Sequence, residues 1–310
     1  MGVAMRAFVL RQYGSMPAVG EAAEPVPDGA RVAVPVIAAG VNPVDVAIAD
    51  GELGTAAAVP RVLGNEAVVE LGGRLVYCQR TSGAFAERTL VDPQDVLDVP
   101  DGIAPEAVFT AGIAGQPAWI PLETTAAVRA GETVLVLGAT GAAGQVATQA
   151  AHLLGAGRVV AAGRHAPTLE LLRSRGADET VVLGGPDDAA NLLDATRGGA
   201  DVVYDPLWGP PFVAALQATK PGGRTVSVGR SAGAHGATIP VFSFLGKTML
   251  SYRNGATDPQ VVRRAFERML GHVAAGDLVV ETAVHSLAGA GDAWLAQRAT
   301  PHGKVVLRVA

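Results

Sequence analysis

The sequence predicts an α/β protein with two domains, one β-rich and the other built on a doubly wound parallel sheet. Between Met5 and about Val99, short apolar runs are cut by Pro, Gly and Asp, which is typical of short strands joined by turns. From Thr133 onward, apolar strands alternate with helical patterns, which indicates parallel strands connected by helices. The 310 residues, 49% hydrophobic and 17% charged, are enough to bury a core in each domain.

The β-rich domain is predicted to come from two separated segments. In the first segment, strands are predicted at residues 6–10, 31–38, 68–71, 74–78 and 87–91, and a helical pattern with small apolar residues follows at 105–123. Residues 278–280 and 304–309 again have the pattern of strands. We therefore assign residues 1–111 and 253–310 to this domain and residues 112–252 to the parallel-sheet domain inserted between them.

A glycine-rich turn follows the first strand of the inserted domain. The strand at 134–137 is an unbroken apolar run, and Gly138, Gly141 and Gly144 follow it at three-residue spacing. The first glycine permits a sharp bend, the second lets a pyrophosphate approach the backbone, and the third lets the next helix pack closely on the strand. Because a helical pattern and a second strand come next, we predict a Rossmann dinucleotide site. Its predicted cofactor-binding residues are Gly138, Thr140, Gly141, Ala142, Ala143 and Gly144.

The alternation of strand and helix continues through the domain. Further strands are predicted at 158–162, 179–183, 201–204 and 224–228, and helices at 167–175, 188–196 and 211–218. A longer amphipathic helix is predicted at 259–275, in the segment that follows this domain. Parallel sheets bind ligands beyond the carboxyl ends of strands where the strand order reverses. The loops after Leu137 and Tyr204 should flank that point. Asp205 and Gly229, which follow two of these strands, are included in the predicted cofactor site.

The end of the second strand indicates which dinucleotide binds. A site for NAD places a carboxylate about 20 residues beyond the glycine turn, where it binds the ribose 2′-hydroxyl. Here the residues are Gly163, Arg164 and His165. An arginine offers a fork of donors to a 2′-phosphate, so we predict NADPH as the cofactor. The alternative is that Arg164 is an ordinary solvated loop residue.

Composition excludes several classes of partner. The net charge is −5 and Lys and Arg form no block, which argues against nucleic acid. No apolar run approaches the roughly 20 residues that span a bilayer, and the first residues lack a signal-peptide pattern. We therefore expect a cytoplasmic protein with no membrane partner. Cys78 is the single cysteine, and we expect a buried, unreactive thiol.

Several short motifs are spread along nearly the whole chain. They are Gly40-Val-Asn-Pro-Val-Asp45, Gly64-Asn-Glu66, Gly112-Ile-Ala-Gly115 with Ala118-Trp119, Gly138-Ala-Thr-Gly-Ala-Ala-Gly144, Lys220-Pro-Gly-Gly-Arg224 and Gly303-Lys-Val-Val-Leu307. Their order and spacing resemble the zinc-independent quinone oxidoreductases, the relatives of zeta-crystallin in the medium-chain dehydrogenase/reductase superfamily. The resemblance implies that the β-rich domain is GroES-like and carries the substrate side, that the Rossmann domain carries NADPH, and that the protein is a homodimer.

The resemblance also bears on a metal. Zinc alcohol dehydrogenases of this superfamily place a cysteine where Asn42 stands and a histidine where Asn65 stands. An asparagine amide is a poor zinc ligand beside a thiolate or an imidazole, so we predict no metal. The histidines show no paired ligand spacing and are interpreted as solvent-facing or locally hydrogen-bonded; they are His152, His165, His235, His272, His285 and His302.

The reaction predicted for such a site is hydride transfer from NADPH to an electron-poor acceptor, a quinone or a conjugated enone. The resemblance places Asn42 near the nicotinamide and the substrate oxygen as a neutral donor; the alternative is that Asn42 is only a turn residue. We expect Asp45 to fix this loop by accepting backbone amides rather than to act as a base. Arg298 resembles a C-terminal arginine that relatives bring to the 2′-phosphate, and Lys304 is also assigned to the cofactor.

Three other functions compete with this one. A short-chain reductase is excluded, because no tyrosine of this chain has a lysine four residues on. An enoyl reductase acting on a biosynthetic thioester or a polyketide-like enone uses the same fold and the same hydride, and stays open. A non-catalytic NADPH-binding sensor or structural protein also stays open, because Ala47 and Pro117 stand where several relatives have a tyrosine and a threonine.

Overall fold

The computed structural model describes residues 3–55, 57–79, 81 and 83–310. They form two compact units. The β-rich unit comprises Met1–Ile113, Leu270–Ala275 and Val280–Ala310, and the parallel-sheet unit comprises Ala114–Met269 and Gly276–Val279.

The first boundary lies close to the predicted one, after residue 111, but the second lies beyond the predicted end of the inserted domain at residue 252. The difference arises because the residues after 252 bond within the parallel-sheet unit. Asn254 Nδ2 donates to Gln116 Oε1 at 3.1 Å, and Arg268 forms an ion pair with Glu123.

The strands and helices are numbered in chain order. The strands are β1 (Ala4–Leu10), β2 (Ala18–Ala23), β3 (Val32–Val41), β4 (Arg61–Val62), β5 (Glu66–Leu71), β6 (Arg74–Gln79), β7 (Arg88–Val91), β8 (Leu97–Asp98), β9 (Thr133–Val136), β10 (Arg158–Gly163), β11 (Glu179–Val182), β12 (Ala200–Asp205), β13 (Thr219–Ser227), β14 (Thr248–Ser251), β15 (Thr282–Ser286) and β16 (Lys304–Arg308). The helices are α1 (Pro43–Ala49), α2 (Gln116–Ile120), α3 (Ala142–Leu153), α4 (Ala166–Arg173), α5 (Asp188–Ala195), α6 (Gly209–Gln217), α7 (Val241–Phe244), α8 (Pro259–Ala275) and α9 (Ala290–Arg298).

The β-rich unit contains two sheets, with strand orders β2-β1-β4 and β15-β16-β3-β5-β6-β8, and β7 pairs with β3. The five strands predicted in the first segment and the closing strand are confirmed. Residues 278–280 form no strand, contrary to the prediction. The backbone N–H and carbonyl of Val279 bond to the side chain of Gln149 instead, at 2.9 and 2.8 Å, so they have no strand partner.

The helical pattern at 105–123 is realised as short pieces. It contains a 3₁₀ turn at Ala107–Thr110, helix α2 and a π turn at Pro121–Thr125. Proline has no backbone N–H to donate to the preceding turn, so Pro121 interrupts the hydrogen bonding of a regular α-helix. The N–H of Ala126 bonds to the Pro121 carbonyl at 2.7 Å, which closes the wider turn.

The parallel-sheet unit contains a six-stranded sheet in the order β11-β10-β9-β12-β13-β14, with every pair parallel. The strands and helices predicted for this unit are confirmed, whereas α7 and β14 are not predicted. The strand order reverses between β9 and β12. The N–H of Leu137 bonds to the Tyr204 carbonyl at 3.0 Å where these two strands end. The predicted switch point is therefore present.

Strand β9 lies inside this sheet, and Val134, Leu135 and Val136 have no exposed surface. This burial agrees with their unbroken apolar run, which is typical of a strand covered on both faces. Within the described ranges, none of the helices has both the length and the apolar character that crossing a membrane requires.

Candidate active site

The turn after β9 uses its three glycines differently. Gly138 has φ of +60°, in the left-handed region that favours glycine. A Cβ on Gly144 would lie 2.1 Å from the Gly138 carbonyl oxygen, so close packing of α3 on the turn requires this glycine. A Cβ on Gly141 would meet only that same oxygen, at 3.6 Å, which is an ordinary contact. The packing of the protein therefore does not require glycine at 141, and the approach of a pyrophosphate to the backbone there stays a prediction.

Helix α3 begins in this turn without a side-chain cap. Its N-cap residue is Gly141, which has no side chain to accept hydrogen bonds from the first amides of the helix, those of Ala142, Ala143 and Gly144. Such amides, together with the helix dipole, bind phosphate. Residues 138–144 thus have the shape and the donors that a dinucleotide pyrophosphate needs.

The end of β10 lies against the same turn. A Cβ on Gly163 would lie 2.7 Å from Thr140 Cγ2, so glycine is needed for Thr140 to pack there. Arg164 is exposed and forms no ion pair with any residue that the structure describes. His165 is the N-cap residue of α4, and its Nδ1 lies 2.8 Å from Thr168 Oγ1. An exposed guanidinium at the end of the second strand is what the prediction of NADPH requires.

Asp205 and Gly229 contribute to the loop after β12. The Asp205 carboxylate accepts the backbone N–H groups of Leu207 and Trp208, each at 2.9 Å, and burial raises its pKa. These bonds help to hold Trp208 at φ of +59°, an uncommon value for a residue with a side chain. A Cβ on Gly229 would lie 3.2 Å from the Pro206 carbonyl oxygen. The contacts give Asp205 a loop-fixing role, and cofactor binding by either residue stays a prediction.

The β-rich unit holds a buried carboxylate that our sequence analysis does not single out, that of Glu66. It has no exposed surface, and four donors reach it. Asn42 Nδ2 and Lys304 Nζ donate to Oε1 at 2.8 and 2.7 Å, and the Tyr77 hydroxyl and the Ile113 N–H donate to Oε2 at 2.7 and 2.8 Å. A buried charge is tolerated when it is both paired and hydrogen-bonded, as here. We call Asn42, Asp45, Asn65, Glu66, Tyr77 and Lys304 the Glu66 cluster.

Two glycines make room for this carboxylate. A Cβ on Gly40 would lie 2.2 Å from Glu66 Oε1, and a Cβ on Gly112 would lie 2.3 Å from Glu66 Oε2. Four of the motifs found in the sequence therefore meet at one side chain. The signal that could have revealed it is a charged residue at the start of each of two largely apolar strands, Glu66 in β5 and Lys304 in β16.

All hydrogen-bonding groups of the Asn42 side chain have partners within the β-rich unit. Its Nδ2 donates to the Gly40 carbonyl at 3.0 Å as well as to Glu66, and its Oδ1 accepts from Lys304 Nζ at 2.6 Å. Because lysine only donates and a carboxylate only accepts, these partners fix the orientation of the amide. Asn42 is 2% exposed. In this arrangement it has no N–H left for a substrate oxygen, so its contacts do not match the predicted donor role.

Asp45 joins the start of α1 to Asn65. Its Oδ2 accepts the backbone N–H of Asn42 at 2.8 Å, a contact typical of the third residue of a helix, and its Oδ1 accepts from Asn65 Nδ2 at 2.6 Å. Asp45 has no exposed surface. Burial raises its pKa to about 7, although both hydrogen bonds and the Lys304 ammonium act in the opposite direction.

Two cations assigned to the cofactor lie in the β-rich unit and are paired there. Lys304 is 3% exposed, and its ammonium is bound by Asn42 and Glu66. An ammonium buried in this way is not presented to a phosphate, so we correct the assignment of Lys304 to that of an ion-pair partner. Arg298 donates to both carboxylate oxygens of Asp50 at 2.8 Å. Its contact with the 2′-phosphate stays a prediction.

Among the residues that the structure describes, no group of three or more His, Cys, Asp or Glu side chains is arranged to hold a metal ion. The Cys78 thiol is buried, as predicted, and burial raises its pKa to about 12. A thiol with that pKa stays protonated near neutral pH, where the thiolate is the reactive form.

Known proteins resemble this chain in sequence. Residues 142–271 match the family model described as zinc-binding dehydrogenase, a segment that includes neither Asn42 nor Asn65. The chain is 28% identical over 279 residues to the quinone oxidoreductase of Pseudomonas aeruginosa, with 84% of each protein covered. It is also 30% identical over 303 residues to a phenolphthiocerol/phthiocerol polyketide synthase of Mycobacterium tuberculosis, a match that covers 91% of this chain. The chain spans only 14% of the length of that synthase.

Solved structures share the fold over nearly the whole chain. The quinone oxidoreductase of Thermus thermophilus, which has been solved with NADPH, gives a TM-score of 0.85 at 29% identity and covers 98% of this chain and 100% of its own. An NAD-dependent alcohol dehydrogenase gives 0.87 at 26% identity, covering 99% and 100%. These similarities confirm the predicted fold class, a GroES-like domain with a Rossmann domain.

Proposed function

We propose that this chain, an oxidoreductase related to the quinone oxidoreductases of the medium-chain dehydrogenase/reductase superfamily, reduces quinones or α,β-unsaturated carbonyls with NADPH and without zinc. The observation that carries the proposal is the turn after β9. This turn has a glycine at 141 that the packing of the protein does not require, and the first amides of α3 have no side-chain cap. The exposed Arg164 lies at the end of the neighbouring strand.

The preference for NADPH rests on charge. Arg164 is exposed and has no carboxylate partner in the described chain, so its guanidinium is available to a 2′-phosphate. One charge-assisted hydrogen bond is worth about 1.5–3 kcal/mol. NADH has a hydroxyl in place of the phosphate and gains no such contact. The expected selectivity is therefore about ten- to a hundredfold.

The Glu66 cluster supports a reaction without zinc. Lys304 places a positive charge 2.6 Å from Asn42 Oδ1 and 2.7 Å from Glu66 Oε1. A divalent cation brought to this carboxylate would meet that ammonium. Neither Asn42 nor Asn65 offers the thiolate or imidazole that zinc prefers.

The absence of suitable zinc ligands restricts the acceptor. NADPH, when bound, supplies a hydride to an electron-poor carbon, and the acceptor's oxygen carries the resulting negative charge until it takes a proton from water. Quinones and conjugated enones spread this charge over a ring or an enolate. Saturated alcohols and simple ketones depend on a metal or a positioned acid, so we expect them to be nearly inert.

The experiment is an acceptor panel. The purified chain is mixed with NADPH and with ortho- and para-quinones, conjugated enones, simple ketones and alcohols with NADP⁺, and the nicotinamide absorbance is followed. Quinones or enones should be reduced, a chelator should leave the rate unchanged, and elemental analysis should find no stoichiometric zinc. Loss of activity with the chelator, or simple ketones reduced as fast as enones, would contradict the proposal.

A second candidate is the reduction of an enone carried on a thioester. The match over 303 residues to a segment of a polyketide synthase favours it, because polyketides are built on thioesters. The fold and the hydride donor are the same, so only the acceptor differs. If α,β-unsaturated acyl thioesters react and free quinones do not, this candidate replaces the first.

We also propose that the protein is a homodimer with β14 at the contact. In the described part of the chain, β14 is an edge strand that pairs only with β13, and apolar side chains near it are exposed, with Phe242 at 85% and Met249 at 42%. An open edge beside exposed apolar groups is a template for pairing with another copy. Light scattering should give a dimer mass, and Met249→Lys should lower it; a monomeric wild type would contradict this. The cytoplasmic location stays a prediction.

A further inference from the structure

The Glu66 cluster contains a second asparagine amide, and its situation differs from that of Asn42. Asn65 is partly exposed, whereas Asn42 is 2% exposed. The side chain of Asn65 makes one hydrogen bond within the described chain, from Nδ2 to Asp45 Oδ1 at 2.6 Å. An amide nitrogen carries two N–H groups, so one of them is available to a ligand.

Asn65 lies in a bend just before β5 and is partly exposed, whereas its neighbour Glu66 is buried. Gly64 has φ of +107°, and a Cβ on it would lie 2.7 Å from the Phe85 backbone nitrogen, so the chain passes tightly there. Glu66 begins β5 and points into the cluster with no exposed surface. Asn65 keeps part of its surface exposed, and the buried carboxylate of Asp45 holds its amide.

We propose that Asn65, and not Asn42, donates the hydrogen bond to the substrate oxygen, and that Asp45 is the residue that positions it. This inference rests on the proposed function. As the hydride arrives at the conjugated carbon, its electron pair shifts negative charge onto the substrate oxygen, and the free N–H of Asn65 stabilises that charge. Asn65 loses no proton, because the oxygen is protonated by water. A donor held in place beforehand costs no reorganisation during the reaction.

Asn42 is the less suitable donor for energetic reasons. To reach a substrate it would have to give up its bond to Glu66 or to the Gly40 carbonyl, both of which are buried. A buried acceptor left without its donor costs about 1–3 kcal/mol, and more when it is charged. Asn65 incurs no such cost, because its second N–H has no described partner to lose.

The test uses the full chain with two variants of Asn65. Asn65→Ala removes both donors, whereas the single hydroxyl of Asn65→Ser can replace the bond to Asp45 but then has none for the substrate. Asn191→Ala, an exposed asparagine of α5, is the matched control. We expect Asn65→Ser to keep the wild-type melting temperature and NADPH affinity while its kcat with an enone falls about 100-fold. The loss with a quinone should be smaller, because the quinone stabilises its own charge.

The outcomes separate this inference from the proposed function. If the wild type reduces the acceptors and Asn65→Ser does so at the same rate, Asn65 is not the donor and the proposed function stands. Equal losses with enone and quinone, together with a lower melting temperature, would show a purely structural role and also overturn the inference. If the wild type reduces no acceptor, the proposed function fails and this inference fails with it.

Discussion

The Glu66 cluster and the turn after β9 both depend on glycine, but for different reasons. In the cluster, the places of the missing side chains of Gly40 and Gly112 are taken by the Glu66 carboxylate, whose oxygens would lie 2.2 and 2.3 Å from an added Cβ. In the turn, a Cβ on Gly141 would meet only a carbonyl oxygen, at 3.6 Å. The first two glycines make room for a side chain of the protein itself, whereas no protein side chain takes the place next to the third. The spacing of the glycines does not reveal this difference, which depends on the atoms around each one.

The cations of the two regions differ in the same way, since one is paired within the protein and the other is not. The buried ammonium of Lys304 is neutralised inside the protein by Glu66, at 2.7 Å. The guanidinium of Arg164 is exposed and has no ion-pair partner among the described residues. We therefore expect substitutions in the cluster to change stability first, and substitutions around the turn to change cofactor binding first.

The largest effect should come from Glu66→Ala. This change leaves the Lys304 ammonium, 3% exposed, without its anion, and breaking a buried pair in this way costs about 3–5 kcal/mol. Denaturant unfolding measures the loss. The control is Asp98→Ala, whose partner Arg74 is exposed, so that the expected loss is less than about 1 kcal/mol. Equal losses of unfolding free energy in the two variants would contradict the distinction between the buried ion pair and the exposed one.

Ionisation of Asp45 should lower the free energy of unfolding of the β-rich unit as the pH rises. Burial raises its pKa from 3.8 to about 7, so the folded state holds the proton more tightly than the unfolded state. The stability that this provides is complete below about pH 4 and is lost as the pH rises to about 7, by at most about 4 kcal/mol. The charged groups that act on Asp45 are Lys304, which lowers its pKa, and Glu66, which raises it. Unfolding midpoints across this range should fall for the wild type and stay flatter for Asp45→Asn; parallel curves would show that Asp45 titrates alike in both states.

Arg164→Ala should weaken NADPH binding by about ten- to a hundredfold, because one charge-assisted contact with the 2′-phosphate is lost. NADH binding and the melting temperature should stay unchanged. Calorimetric titration of both nucleotides measures the difference. Arg129→Ala, an exposed arginine before β9, serves as the control. If Arg164→Ala binds both nucleotides as the wild type does, the guanidinium is an ordinary surface group.

Gly141→Ala should have little effect on stability. Gly141 has φ of −81°, which alanine adopts without strain, so the free energy of unfolding should change by no more than about 1 kcal/mol. NADPH affinity should nevertheless fall, because the added methyl group occupies the space for the phosphate. Gly144→Ala is the matched contrast: its Cβ would lie 2.1 Å from a backbone oxygen, so the fold itself should suffer. If Gly141→Ala and Gly144→Ala lose stability equally, the distinction between a glycine that the fold requires and one that it does not require is wrong.

Sequence reasoning succeeded where neighbouring residues determine the structure. The strand β9, its glycine turn and helix α3 are adjacent in the chain, and their period and glycine spacing predict them. The Glu66 cluster could not be found in that way, because its bonds join residues 24 and 238 positions apart, Asn42 to Glu66 and Lys304 to Glu66. No local pattern records such a pairing, so the motifs indicated a family without showing what brings them together.

Helix α1 was missed although its signal is present. Asn42 at the N-cap, proline at the first position and Asp45 at the third are the features that start a helix. The same residue types also form turns, and the helix that follows is only seven residues long. A short helix offers too few residues for its periodicity to decide between the two.

The distance in sequence between Glu66 and Lys304 has a consequence for synthesis on the ribosome. At roughly 5–20 residues per second, the 238 residues between the two groups take about 12–48 s to translate. All six strands of the parallel sheet emerge in that interval, so this sheet can form first. Until β16 arrives and pairs with β3, the nascent β-rich unit holds an acidic side chain whose cation has not yet been made. During that interval the β-rich unit is incomplete, and we expect it to be the part of the nascent chain most exposed to chaperones and proteases.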